Sequence, residues 1–337
     1  MIREAITMLI EGRDLSVEEA SAVMDEIMTG RASDAQMASF LTALRLKGET
    51  VEEITGCARV MKDRATRIEC RSDIVVDTCG TGGDASGTFN ISTVSALAAA
   101  GAGAHVAKHG NRSVSSRCGS ADLLKALGVN IEAGPEVVCR CIDEVGIGFL
   151  FAPALHGAMK YAIGPRREMG IRTVFNILGP LTNPAGATAQ VLGVYAEELI
   201  GPVAGVLREL GCRRAYVVHG QDGLDEITTT SPTAVCEIID GDIRRYQISP
   251  EDLGMMPSTL DRLMGGDPQQ NAEIALAILR GERGPRRDIV LLNAGAAIAT
   301  AGLAGDIGEG VGLAAGSIDS GAALERLEGL KELSNTR

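Results

Sequence analysis

Residues 77–93 constrain this chain more than any other stretch: Asp77-Thr78-Cys79-Gly80-Thr81-Gly82-Gly83-Asp84, then Ala85-Ser86-Gly87-Thr88-Phe89-Asn90-Ile91-Ser92-Thr93. The apolar run Ile74-Val75-Val76 precedes it and the small-residue run 94–107 follows, a pattern that predicts strand, glycine-rich loop, helix. Glycines at 80, 82, 83 and 87 remove the Cβ atoms that would hold a ligand away from backbone N–H groups, and they permit positive φ. The following helix adds unpaired N–H groups and the positive end of its dipole, which suits phosphate. Ser86, Thr88, Asn90, Ser92 and Thr93 place further donors along the rim. Neither the dinucleotide-binding nor the P-loop spacing fits these glycines, and a tight turn closing a strand is the plainer reading of the same residues.

Downstream, short β-branched runs at 74–77, 104–107, 129–131, 147–152, 190–194, 215–219 and 234–239 alternate with helical stretches. The alternation predicts an α/β domain over 73–333 with a mostly parallel central sheet, whose ligands bind beyond the carboxyl ends of the strands. Residues 1–66 instead show helical spacing divided by three capping boxes, Ser16 with Glu19, Ser33 with Gln36 and Thr50 with Glu53. They predict a small all-helical domain of four helices. The third, over 36–46, carries apolar residues on more than one face and is expected to be buried on several sides. So small a unit must pack on the main domain or on a second subunit, and a homodimer is expected. Residues 161–186, with Gly164-Pro165, Gly179-Pro180 and Asn183-Pro184, read as a crossover returning to these helices, and 318–333 as a closing amphipathic helix.

Three further clusters bear chemistry. Lys108-His109-Gly110-Asn111-Arg112-Ser113-Val114-Ser115-Ser116 sets two cations, an imidazole, an amide and hydroxyls at a strand end, where they can surround a phosphate or simply form a solvated loop. Asp225-Glu226 follows another strand; adjacent carboxylates suit Mg²⁺, which takes one or two protein carboxylates beside water and phosphate oxygens, but such a pair is more often a wet turn. In Arg166-Arg167-Glu168 one arginine suits a substrate carboxylate and the other a structural ion pair. A thiol nucleophile, Cys79 activated by His109, is the sharper alternative to Cys79 as a small loop residue; His105, His156 and His219 form no ligand spacing.

The net charge of −12 argues against a nucleic-acid or anionic-membrane surface, so any anion site must be local. Eight cysteines without C-x-x-C pairs read as free thiols of a reducing cytoplasm. No secretory signal is apparent, and the apolar stretches 91–107 and 289–304 are short for a membrane span.

Taken in order, 77–84, 89–93, 108–112, 170–184 and Leu224-Asp225-Glu226 resemble the anthranilate phosphoribosyltransferase family over essentially the whole chain. The resemblance implies a fold of the nucleoside phosphorylase/phosphoribosyltransferase type, a homodimer through the helical domain, and transfer of the phosphoribosyl group of phosphoribosyl pyrophosphate to the amine of anthranilate. It implies that Gly80, Gly83, Asp84, Thr88, Asn90, Ile91, Ser92 and Thr93 hold pyrophosphate and ribose. Lys108, His109, Gly110, Asn111, Arg112, Ser113, Val114, Ser115, Ser116 and Ser120 would clamp the phosphates. Ser92, Asp225 and Glu226 would bind Mg²⁺, two ions per subunit, and Gly80, Asn111 and Arg166 would contact anthranilate. His109 is the candidate to orient the amine or accept its proton. Cys118 and Ser113 stand where the family commonly has serine and alanine, touching only details of phosphate contact. The alternatives are a pyrimidine nucleoside phosphorylase-like enzyme, disfavoured by length and by its different cationic motif, and a noncatalytic nucleic-acid-binding relative, disfavoured by the acidic charge and Asp225-Glu226.

Overall fold

The structure, a computed structural model, describes residues 1–84, 86–113 and 117–336. Four helices, α1 (Ile2–Ile10), α2 (Val17–Met28), α3 (Asp34–Lys47) and α4 (Val51–Arg64), open the chain. All three capping boxes form, each serine or threonine oxygen accepting the N–H three residues on while the Glu or Gln side chain returns to the cap's own N–H. On α3 the buried residues Met37, Phe40, Leu41 and Leu44 make a single stripe and Leu46 is 83% exposed. The expected burial on several sides is therefore not met within one chain, because α3 finds its main packing partners along one side only. The bundle core runs without a break into one face of the sheet: Met24, Ile27, Phe40 and Ile54 share a cluster with Leu192, Val203 and Val217.

The α/β part follows as β1 (Val76–Gly80), α5 (Ile91–Gly101), β2 (Val106–Gly110), α6 (Ser120–Ala126), α7 (Pro135–Arg140), β3 (Ile147–Phe151), α8 (Ala152–Leu155), α9 (Lys160–Met169), α10 (Phe175–Leu181), β4 (Ala189–Gly193), α11 (Ile200–Glu209), β5 (Arg214–Gly220), β6 (Thr233–Ile239) and β7 (Asp242–Ile248). Helices α12 (Pro268–Leu279), α13 (Pro285–Thr300), α14 (Ile307–Asp319) and α15 (Ala322–Ser334) close it. Among the described residues the sheet order is β3-β2-β1-β4-β5-β6-β7, parallel through β5 and antiparallel beyond. Order reverses between β1 and β4, and at such a switch point loops diverge and leave a crevice. The second core packs α5 and α13, apolar on nearly all sides, against the opposite sheet face.

Several expectations need correction. Residues 129–131 form no strand: Val129 and Ile131 are buried, but the Asn130 N–H donates to Ser334 Oγ at the end of α15, so burial rather than pairing explains the apolar run. Strand β7 gave no apolar alternation to read because it is an exposed edge, and its Arg244 and Arg245 discourage further pairing. The closing helix is two helices, parted where Gly321 takes φ +85°. Strands β1 and β2 run on into their motifs, to Gly80 and Gly110, which buries Cys79, Lys108 and His109. No helix among the described residues is long and apolar enough to cross a membrane.

Candidate active site

Strands β1, β2, β4 and β5 each end in glycine, at Gly80, Gly110, Gly193 and Gly220, and the loops that leave them meet at the switch point. The acidic loop after β5 closes onto the glycine loop after β1. The Gly82 N–H donates to Asp225 Oδ2 at 2.8 Å, and the Ser92 N–H, in the first turn of α5, donates to Glu226 Oε1 at 3.2 Å. The fit depends on absent side chains: a Cβ on Gly80 would strike the Asp225 carboxylate, and one on Gly193 the Asp225 backbone.

The acidic pair is held from behind. Asn293, the polar residue of the apolar run on α13, accepts the Ile227 N–H at 2.9 Å and donates to the Ile227 carbonyl at 2.8 Å. Asp222 accepts the Leu224 N–H at 3.1 Å and the Thr228 hydroxyl at 2.7 Å. Loss of hydration, then the charge of Asp84, pushes the Asp225 carboxyl up to about 6; loss of hydration, then Asp225 itself, raises Glu226 well above the usual range. This cluster of hard, mutually repelling oxygens, with the Ser92 hydroxyl beside it, fits Mg²⁺. Among the described residues no three His, Cys, Asp or Glu are grouped so as to hold a metal ion.

Lys108 approaches from beneath. Its ammonium, 3% exposed, donates to the Thr78 carbonyl and to Ser92 Oγ at 3.2 Å, placing a fixed positive charge under the loop. Asn90 is oriented by a chain that the sequence did not reveal: the Gly266 N–H donates to Asn271 Oδ1, Asn271 Nδ2 to Asn90 Oδ1 and Asn90 Nδ2 to the Cys118 carbonyl, at 2.7, 2.9 and 3.0 Å. Ser86 donates to Asp84, and Thr88 bridges to Met264. Ile91 and Thr93 are buried at the head of α5. Arg112 lies over Phe151 and 3.5 Å from Asp122, whose other oxygen accepts the Ser113 N–H; Ser120 donates to the exposed Asn111's carbonyl. Val114, Ser115 and Ser116 lie outside the described residues.

His109 is enclosed. Its Nε2 sits 3.2 Å from Nε2 of His156, and its ring also donates to the Gly179 backbone. Burial, then His156 and Lys108, pulls His109 down to about 3, while burial brings His156 to about 4, so both rings are neutral and one donates to the other across the facing nitrogens. His219, by contrast, is engaged with the Val194 carbonyl at 2.7 Å. Cys79 is buried, hydrogen-bonded by Gln190 and raised well above 9, first by burial and then by Asp77, which leaves it a thiol with no access to an electrophile.

Arg166 stands apart from these contacts, on α9 over the Phe175 ring at 4.9 Å. Among the described residues neither Arg166 nor Arg167 makes an ion pair, so the structural pairing expected for one of them is not found. Burial lowers the Arg166 guanidinium's affinity for its proton, leaving a partly desolvated cation without a partner carboxylate.

The residues that build this site belong to two matched family units: residues 3–65 match the helical bundle domain, and 72–324 the a/b domain, of the glycosyl transferase family. A helical bundle joined to an α/β sheet, each matched to its unit, thus marks the chain as a glycosyl transferase. Over nearly its whole length the chain is 58% identical to the anthranilate phosphoribosyltransferase of Pelotomaculum thermopropionicum, covering 98% of this chain and 96% of that protein. It is 56% identical to that of Geotalea daltonii, covering 99% and 100%. The crystal structure of anthranilate phosphoribosyltransferase from Thermus thermophilus superposes with a TM-score of 0.94 at 45% identity, covering 98% and 99%. The Saccharomyces cerevisiae enzyme in complex with PRPP and Mg superposes at 0.89 and 28%, covering 99% and 97%. The chain belongs to the anthranilate phosphoribosyltransferase family.

Proposed function

We propose that this protein transfers the phosphoribosyl group of phosphoribosyl pyrophosphate to the amine of anthranilate, releasing pyrophosphate, in the second step from chorismate towards tryptophan. The observation that carries the reading is the meeting of Asp225 and Glu226 with the N–H groups of Gly82 and Ser92 above the buried Lys108 ammonium. Donors, cation and hard acceptors within one crevice are what a metal-bound pyrophosphate requires.

The reaction breaks the bond from the ribose anomeric carbon to pyrophosphate and forms one to the aniline nitrogen, which then gives up a proton to the departing pyrophosphate or to water. Lys108 offsets charge on the departing group, and the glycine loop with the head of α5 supplies N–H donors to its oxygens. When bound, Mg²⁺ neutralises the same charge; Ser92, Asp225 and Glu226 would hold it, two ions per subunit. Arg166, a desolvated guanidinium lacking a carboxylate partner, would take the anthranilate carboxylate, aided by Asn111. The amine is neutral before attack, so the main work left to the protein is positioning. We assign His109 to the wall of the site rather than to proton transfer, since its ring nitrogens are engaged by His156 and the Gly179 backbone.

We further propose a homodimer formed through the helical unit 1–66 and the crossover 161–186, in a cytoplasmic enzyme. Leu46 at 83%, Ile10 at 75% and Ile163 at 52% exposure are large apolar side chains that these segments leave uncovered in one chain. Anthranilate's own fluorescence tests the activity: its decay should require protein, phosphoribosyl pyrophosphate and Mg²⁺ together. Decay that persists without Mg²⁺, or none at all from folded dimer, refutes the reading.

A further inference from the structure

Two of the N–H groups best suited to pyrophosphate oxygens are already occupied by carboxylates of the chain itself. Gly82 N–H is taken by Asp225 and Ser92 N–H by Glu226. A carboxylate oxygen resembles a phosphate oxygen in charge and hydrogen-bonding reach, so the acidic loop lies in the crevice as an internal anion. Three features keep it there: Gly80 and Gly193 lack the Cβ atoms that would push it out, Asn293 pins Ile227 immediately behind it, and Asp222 fixes the turn before it. Asp84 adds a third carboxylate close to the pair.

We infer that Asp225 and Glu226 act as a selectivity plug: they hold the loop's donors so that metal-free pyrophosphate is turned away, and they yield those donors only when a divalent cation accompanies it. The inference rests on the loop being the pyrophosphate site. It gives the two carboxylates a second role besides holding metal, that of rejecting the uncomplexed anion by competition for N–H groups and by repulsion.

Opposite signs in two conditions test it. Inorganic pyrophosphate is titrated by calorimetry into the purified full-length protein, once in excess EDTA and once in excess Mg²⁺. In EDTA, Asp225→Ala and Glu226→Ala should each bind about tenfold more tightly than the unsubstituted protein, the effect of freeing one N–H donor from the side chain that occupies it. Asp225→Asn, which keeps an acceptor for the Gly82 N–H but loses the charge, should gain less than Asp225→Ala. In Mg²⁺ the order should reverse. If folded Asp225→Ala and Glu226→Ala, verified by thermal melting, bind pyrophosphate in EDTA no better than the parent while the parent binds it in Mg²⁺, the plug is refuted and the site assignment stands. If no form binds pyrophosphate in either condition, the site assignment fails and the plug with it.

Discussion

Gly193→Ala isolates how closely the acidic loop must approach the sheet. Gly193 ends β4, paired with Gly80 of β1, and its φ lies outside the left-handed range, so alanine suits its backbone. The difficulty is space: the new Cβ would strike the Asp225 carbonyl and lie 3.0 Å from its Cα. Those are backbone atoms and cannot rotate aside, and Ile227 is pinned by Asn293 two residues on. Overpacking of this kind costs about 1–3 kcal/mol. A displacement of roughly 1 Å in the carboxylate pair should lower turnover on the order of a hundredfold and raise the Mg²⁺ requirement. Gly80→Ala should separate the two effects, because its Cβ meets the Asp225 carboxylate, a side-chain end that can rotate where backbone cannot: stability nearly kept, Mg²⁺-dependent turnover lost. Gly201→Ala on α11 is the control. It meets nothing within 4 Å and should be stabilising by about 0.4–1 kcal/mol, with activity intact. Denaturant unfolding and the anthranilate fluorescence assay measure all three. A Gly193→Ala protein with parental stability and parental Mg²⁺ half-saturation would refute the close packing described here.

Arg166→Ala should raise the anthranilate KM with little change in that for phosphoribosyl pyrophosphate, and Arg166→Lys should not restore it, since an ammonium lacks the planar fork; an unchanged anthranilate KM would remove Arg166 from the site. With His109 lowered to about 3 and His156 to about 4, their folded values lie below the unfolded one of about 6.5, so the unfolded chain binds more protons. Their contribution to stability is therefore full above pH 6.5 and drains as pH falls towards 4, and the rate profile should show no inflection near 6.5 that His109→Ala abolishes. Glu53, fully buried, accepts the Leu15 and Thr50 N–H groups and pairs with Lys47 at 3.0 Å; Glu53→Ala should cost about 3–5 kcal/mol in chemical unfolding, and a loss below 1 kcal/mol would mean that the cluster is not holding the bundle. Leu46→Asp should shift sedimentation towards the monomer without lowering the melting temperature of the isolated chain, whereas an unshifted oligomer would place the interface elsewhere.

What could be read from the sequence was whatever is local. Capping boxes join residues three apart, and β-branched runs mark the buried parallel strands, so bundle and sheet emerge from short windows. The glycine loop, Lys108 and Asp225-Glu226 were visible as motifs, each at a strand end, where α/β sheets collect their ligands. Hidden from view was whatever acts across the fold. Asn271 reaches Asn90 over a separation of 181 residues, and no pattern around Asn271 announces it. Asn293 did leave a signal, one amide in an apolar helix, which is tolerated in a core only with partners. His156 showed no ligand spacing because its partner is His109, 47 positions away. Strand β7 escaped because edge strands carry the charges that periodicity counts as loop.

The crossover explains how positioning alone can carry much of the reaction. The groups proposed to hold pyrophosphate sit on β1, β2 and the loops beyond them, whereas Arg166, proposed to hold anthranilate, sits on α9, a different layer of the fold. Two substrates held by separate elements react well only if those elements keep a fixed register. Asn183 supplies it on one side, donating from the crossover to Asp77 of β1 and to the Ala107 carbonyl of β2, both at 2.8 Å. Gln190 of β4 supplies it on the other, donating to the Pro180 carbonyl at 2.6 Å and to Cys79 at 3.0 Å. Arg172 closes the set, stacked on Tyr195 at 4.2 Å and bonded to the Gly83 carbonyl of the glycine loop itself. The buried polar residues Asp77, Asn183 and Gln190 are therefore costly to desolvate but fully partnered, and what they secure is the distance between two binding elements. The same bonds account for Asp77, which burial raises despite the adjacent Lys108: its carboxylate is kept in the core to tie strands to crossover.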